Sequence, residues 1–200
     1  MMDFEACFKA LAEHLKTELI VTSAGNTSEL WWNITKENER VFYLEASMSL
    51  ASLFAAGIAM GRPHETVVAF NGDGAFCMNP GMLFVEQQLA LPNLKHFVVS
   101  NSVYGSTNEL VLPFRKHADY AGMARAAGVG RVYEFSDLQA LMAGIDEIVK
   151  TPGHTFTVLN VEPIGKRVHS PPLDGPEVKF RFGRFLESRG GPQIFDVPLK

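Results

Sequence analysis

Apolar residues along this chain fall into two alternating rhythms. Phe4, Phe8, Leu11, Ala12 and Leu15 recur at helical spacing and predict an N-terminal helix. Short apolar runs rich in β-branched and aromatic residues, at 19–22, 41–44, 67–70, 97–99, 129–135 and 155–161, predict strands. The turn 23–29 leads into a helix start at Leu30-Trp31-Trp32. Residues 50–60 predict a helix lined with small side chains, stopped by Gly61-Arg62-Pro63. A helical segment follows residue 75, another spans 120–127 and ends at Gly128, and 136–149 is amphipathic with Ser136 as its N-cap. Residues 109–116, around Pro113, predict a loop, and 162–176 a proline-rich arm. A closing helix over 177–187 carries Phe180, Phe182 and Phe185. Strand–helix alternation of this kind implies an α/β fold, a mostly parallel sheet with helices on both faces. The pattern divides into one domain, 1–187, and a C-terminal tail, 188–200, with Phe195 and Val197 as candidate anchors.

The strand ends are where chemistry concentrates. The run 67–70 ends in Asn71-Gly72-Asp73-Gly74-Ala75, and the run 97–99 ends in Ser100-Asn101. In a parallel sheet both ends lie on the edge where open α/β sheets bind ligands. An acid and an amide there, flanked by small residues, suit a hard divalent cation carrying phosphate oxygens. The Gly25-containing turn before the second helix exposes free N–H groups, a second feature suited to anions, although such turns also serve only to cap helices.

Composition narrows the classes. A hydrophobic share of 46% against 20% charged residues is that of a globular protein with a sizeable core. A net charge of −4 without a Lys/Arg cluster argues against a general nucleic-acid binder. Cys7 and Cys77 form no CxxC pair, which argues against a zinc site or an iron–sulfur cluster and fits two reduced thiols. Charges run through the first sixteen residues, so no signal-peptide pattern is visible. The apolar stretch 46–61 falls short of the ~20 residues a membrane span needs and is rich in Ala, Ser and Gly, as a buried helix would be. These features point to the cytoplasm.

Asn101 follows Asp73 by 28 positions. GDGA followed at this distance by Asn, each closing an apolar strand, resembles the cofactor motif of thiamine-diphosphate enzymes. The resemblance implies that Asp73, the Asn101 side-chain oxygen and the Val103 carbonyl hold Mg²⁺, which bridges the cofactor's two phosphates. Gly72, Gly74 and Ala75 would let backbone N–H groups reach the diphosphate, and Tyr104-Gly105 matches the family's turn after the Asn. Upstream, Glu45-Ala46-Ser47-Met48-Ser49 and the small-residue helix resemble the GSMG segment of phosphonopyruvate and sulfopyruvate decarboxylases. There the residue at Met48 wedges the cofactor into a V shape, and the backbone of Ala46 and Met48 meets the pyrimidine, with Ser47 between them. The turn 22–29 resembles the family's TTGxTSREL-like segment, which implies Gly25 and Asn26 near the diphosphate. The resemblance covers residues 4–187. It departs from the family where the glycines flanking GSMG are Ala46 and Ser49.

In that family the activating Glu lies on a second, pyrimidine-binding domain, for which this chain has no room. Some sulfopyruvate decarboxylases divide the halves between α and β chains, and this chain resembles the β chain. The resemblance therefore implies decarboxylation of a 2-oxo acid with thiamine diphosphate and Mg²⁺, in an α2β2 or larger hetero-oligomer. Glu109 and His117 follow the Asn and are candidates to face the reacting carbon; Arg115 and Lys116 are candidates for an anionic substrate group. A solvated loop accounts for all four as well. Other readings are an E1α-like component of a 2-oxo acid dehydrogenase, a carboligating lyase, and a cofactor-binding module without turnover.

Overall fold

A computed structural model of the chain describes residues 1–115, 117–172, 174–190 and 192–195. Six strands form a parallel sheet in the order β2-β1-β3-β4-β8-β7: β1 (Leu19–Ser23), β2 (Val41–Leu44), β3 (Val67–Gly72), β4 (Leu94–Ser100), β7 (Val132–Phe135) and β8 (Thr155–Asn160). The central strands are buried along nearly their whole length, as strands covered on both faces must be.

Helices α1 (Phe4–His14), α2 (Asn26–Thr35) and α7 (Leu138–Lys150) cover one face, packing on Ile20, Val68, Phe70, Phe97, Val99 and Leu159. On the other face α3 (Ala51–Gly61) and α8 (Gly175–Ser188) pack on Leu19, Val21, Val67, Ala69 and Leu94. There too, α4 (Asp73–Phe76), α5 (Met82–Leu89) and α6 (Tyr120–Ala126) gather Phe76, Met82, Leu83, Tyr120 and Ala124 against Val98, Phe156 and Val158. The small side chains of α3 are its sheet-facing surface: Ala51, Ala55, Ala56 and Ala59 are buried. An aromatic column ties the first face together. Phe8 packs on Phe4 at 4.8 Å and on Trp31 at 5.7 Å, and Phe70 on Trp31 at 5.2 Å and Phe97 at 5.3 Å between ring centres.

The elements depart from the pattern reading in several places. Helix α2 begins at Asn26, four residues before Leu30, because Gly25 takes φ 92 and turns the chain directly out of β1. Strand β7 begins at Val132 rather than 129: the Val129 N–H bonds back to the Ala124 carbonyl and belongs to the exit from α6. Asp137, not Ser136, caps α7, its carboxylate accepting from the Ala140 N–H at 2.9 Å. Within the loop predicted at 109–116, Leu110–Val111 (β6) pairs antiparallel with Val103–Tyr104 (β5). In the tail, the Phe195 ring packs on Phe180 at 4.9 Å, and Glu187 accepts the Ile194 and Phe195 N–H groups. Val197 lies outside the described residues. No helix among the described residues is long and apolar enough to cross a membrane.

Candidate functional site

Chain order in the sheet reverses between β1 and β3: β1 leads outward to β2, while β3 leads the other way to β4. A crevice at the carboxyl ends of such strands is the general ligand position of open α/β sheets. Here the two strand ends are Ser23-Ala24-Gly25 and Gly72-Asp73. Between them lies a small cleft of about 40 Å³, lined by both turns and by Asn101, Val103, Tyr104 and Gly105 from the end of β4.

Asp73 sits at the cleft, 1% exposed. Its Oδ1 accepts from the Gly74 N–H at 2.8 Å and its Oδ2 from the Ser102 N–H at 2.7 Å. Burial pushes its pKa up to about 6, against the pull of backbone N–H groups of Ser102, Gly74 and Asn101 and of the Ser100 hydroxyl. No Lys, Arg or His pairs with it among the described residues. Asn101, 6% exposed, uses its Oδ1 to accept from the Val103 N–H at 3.2 Å. Ser102 between them takes φ 63, the kink that aims its N–H at Asp73. Among the described residues, no three or more His, Cys, Asp or Glu side chains form a metal cluster; the oxygens here come from one acid, one amide and the backbone.

The glycines of the cleft divide into two kinds. Side chains built on Gly74 and Gly105 would collide with the Tyr104 ring and the Asn26 amide, so these two glycines allow close internal packing. A Cβ on Gly72 would meet nothing within 4 Å. That side of the strand end is open space. Helix α2 carries no side-chain cap, whereas α1, α6, α7 and α8 are each capped by an Asp carboxylate. Its first-turn N–H groups therefore face the cleft without an acceptor from its own cap residue.

Of the cofactor- and metal-binding residues expected from the sequence, all but Ala46 and Ser47 line this cleft: Gly25, Asn26, Met48, Gly72, Asp73, Gly74, Ala75, Asn101, Val103, Tyr104 and Gly105. Ala46 and Ser47 are not in its lining and lie in the connection between β2 and α3, just before Met48. Ser49, at a position where the resemblance gives glycine, adopts φ 74, a left-handed conformation that is strained for a residue with a side chain. Glu109 borders a neighbouring wider cavity, while His117 and Arg115 are exposed and line neither. Lys116 lies outside the described residues. Both cysteines are free, and burial pushes the Cys7 thiol up to about 12 and raises that of Cys77.

Residues 24–161 match the model of the thiamine pyrophosphate enzyme C-terminal TPP binding domain. The chain belongs to this family. It is similar to the sulfopyruvate decarboxylase of Methanosarcina acetivorans, 27% identical over 178 residues, which are 88% of this chain and 45% of that protein. It is likewise similar to the sulfopyruvate decarboxylase subunit beta of Methanococcus maripaludis, 28% identical over 177 residues, 87% of this chain and 92% of that one. The chain thus spans about half the length of the Methanosarcina relative. Benzoylformate decarboxylase from Polynucleobacter necessarius superposes with a TM-score of 0.69 at 18% identity, over 84% of this chain and 34% of that one; this likeness shows the fold.

Sequence reasoning missed three parts of the TPP-binding domain's surroundings. Phe4 of α1 and Ser106 also line the cleft. Glu29, 8% exposed, accepts from the Asn26 side-chain amide at 2.9 Å and holds it against Gly105. Their i,i+3 spacing on one helix was the available signal. The third is the position of the segment 165–170: the arm over 162–176 was legible, but its place along the wider cavity of about 770 Å³ was not.

Proposed function

We propose that this chain is the β-type subunit of a cytoplasmic, thiamine-diphosphate-dependent 2-oxo acid decarboxylase, with residues 1–187 as its diphosphate-binding domain. It holds Mg²⁺ and the cofactor diphosphate and works with a separate pyrimidine-binding α subunit in an α2β2 or larger assembly. The observation that carries this reading is the buried Asp73, beside Asn101 and without a protein cation among the described residues, at the switch point of a TPP-binding domain.

The donor set fits the group. A buried carboxylate near neutral pH calls for a positive charge, and Asp73, the Asn101 Oδ1 and the Val103 carbonyl are the hard oxygens Mg²⁺ prefers. Open space at Gly72 and the uncapped start of α2 offer room and N–H donors for phosphate oxygens. When bound, thiamine diphosphate supplies the electron sink for loss of carbon dioxide from a 2-oxo acid. The chain's own residues orient and shield. Met48, Tyr104 and the turn 24–27 wall the cleft; Asp73 and Asn101 fix a cation; Glu29 locks Asn26 in place. The names of the relatives, a β subunit and a decarboxylase of twice this length, support both a partner chain and a sulfonate-bearing substrate such as sulfopyruvate.

Titration calorimetry with thiamine diphosphate, with and without Mg²⁺ and with and without the partner chain, tests the proposal. Binding is expected only with Mg²⁺, and Asp73→Ala is expected to abolish it. Equal affinity without the metal, or normal binding by Asp73→Ala, would overturn the ligand assignment.

A further inference from the structure

The small cleft adjoins a second, wider cavity of about 770 Å³, and the two share Asn26, Gly105 and Ser106 in their linings. None of Gly72, Asp73, Gly74, Ala75 or Asn101 lines the wider cavity. Its far side is the segment 165–170 of the arm that follows β8.

Helix α2 and the loop between β5 and β6 tether this segment. The Glu109 carboxylate accepts from the Gly165 N–H at 2.6 Å, the Asn33 side-chain amide donates to the His169 carbonyl at 2.7 Å, and the Ser170 hydroxyl donates to Glu29 at 3.5 Å. The contacts reach across 56, 136 and 141 positions of sequence, so the arm folds back over the cavity as a strap.

The charges on the cavity wall are unequally committed. Glu109 is engaged by the strap backbone, and Glu29 by Asn26 and Ser170. Lys166 turns away to Glu5, with its Nζ 2.8 Å from the carboxylate. Arg167 lines the cavity and makes no ion pair among the described residues. A guanidinium presents a planar fork of N–H donors that matches the oxygens of a sulfonate, phosphonate or carboxylate, and it stays charged at any working pH.

We propose that the 165–170 strap is the substrate-anion subsite of this enzyme, with Arg167 receiving the second acid group of a dianionic 2-oxo acid. The inference rests on the proposed function and deepens it by assigning the residue that selects among 2-oxo acids. Arg167 lines the wider cavity and is absent from the cleft that holds Asp73 and Asn101, so the guanidinium is assigned to the substrate rather than to the diphosphate.

The test uses the chain in complex with its partner subunit, loaded with thiamine diphosphate and Mg²⁺. Sulfopyruvate and pyruvate serve as dianionic and monoanionic probes. Arg167→Met should raise KM for sulfopyruvate about 10- to 100-fold, the span of a lost hydrogen bond to a charged group, and leave pyruvate unchanged. Arg167→Lys should restore part of the loss, and Lys179→Met, an exposed residue of α8 that lines neither cavity, should change neither substrate. Equal effects on both substrates, or none on either, would overturn the proposal. So would a loss of thiamine diphosphate affinity in Arg167→Met with the substrate ratio unchanged, since the cation would then serve the diphosphate. Calorimetry with the unreactive 3-sulfopropanoate decides independently of turnover. Binding by the wild-type complex and about tenfold weaker binding by Arg167→Met supports the subsite even if no 2-oxo acid is decarboxylated, an outcome that would sink the decarboxylase reading alone. Equal binding by the two overturns the subsite.

Discussion

Gly72 and Gly105 stand at the same cleft, yet a methyl group at each meets opposite surroundings. At Gly72 the backbone has φ −69, which alanine adopts readily, and the added atom meets nothing within 4 Å. At Gly105 it would fall on the Asn26 side-chain amide, which Glu29 holds from behind. Gly72→Ala is therefore expected to fold with wild-type stability, or slightly more, about 0.5 kcal/mol, because alanine restricts the unfolded chain. Gly105→Ala should cost about 1–3 kcal/mol by overpacking and displace Asn26. Both should weaken thiamine diphosphate binding, but for different reasons: one by filling the ligand's space, the other by deforming its wall. Urea titrations beside cofactor calorimetry separate the two. A Gly72→Ala variant that binds the cofactor as well as wild type would mean that the diphosphate lies elsewhere.

At the scale of elements, α5 is held to the sheet by a buried polar cluster unlike the rest of the core. Glu86 Oε2 lies 3.0 Å from His96 Nδ1 on β4 and 3.1 Å from His154 Nε2 before β8, with the first two side chains fully buried. Burial alone would push the Glu86 carboxyl up. The charge of His96 and hydrogen bonds from His154 and His96 outweigh it and hold the pKa below the usual carboxylate range. A carboxylate whose folded pKa is depressed contributes stability above its unfolded value, here 4.5, and loses it as pH falls below that value. Glu86→Gln should cost about 3 kcal/mol at pH 7, because it leaves the histidines without their buried partner. It should also flatten the decline in stability below pH 4.5, which denaturant melts between pH 3 and pH 7 would detect. The same cluster shows where local patterns stop informing. Strands β1, β3, β4 and β8 were legible because continuous apolar runs bounded by turn residues encode burial on both faces, and Asp73 and Asn101 were legible because they close two of those runs. The β5–β6 ribbon was not, because two-residue strands carry no period. Neither was the early start of α2, which depends on the backbone conformation of Gly25. The Glu86 cluster and the 165–170 strap join residues far apart in sequence, and only the completed fold brings them together.

At the scale of the whole molecule, Met48 of the cleft wall is 38% exposed, and Leu50 and Phe54, which follow it at the start of α3, are 42% and 37% exposed. A domain that presents half of a cofactor site gains stability from the ligand only to the extent that its own groups hold it. In the proposed site that hold is Asp73 and Asn101 acting through a cation, so the proposal requires cofactor and metal to stabilise together or hardly at all. A ligand at one hundred times its dissociation constant adds about 2.7 kcal/mol to unfolding free energy. For a chain of 200 residues, each kcal/mol raises Tm by about 2–4 °C, so saturating thiamine diphosphate with Mg²⁺ should raise Tm by about 5–10 °C. Thiamine diphosphate without metal, Mg²⁺ alone, and the pair added to Asp73→Ala should each leave Tm near that of the free chain. On the proposed reading, addition of the partner subunit should lower the cofactor concentration at which the shift saturates, because a pyrimidine-binding chain would supply the other half of the cofactor site. If scanning calorimetry gives the full shift without Mg²⁺, the diphosphate is held by the backbone N–H groups alone, and the buried acid at the end of β3 must have another purpose.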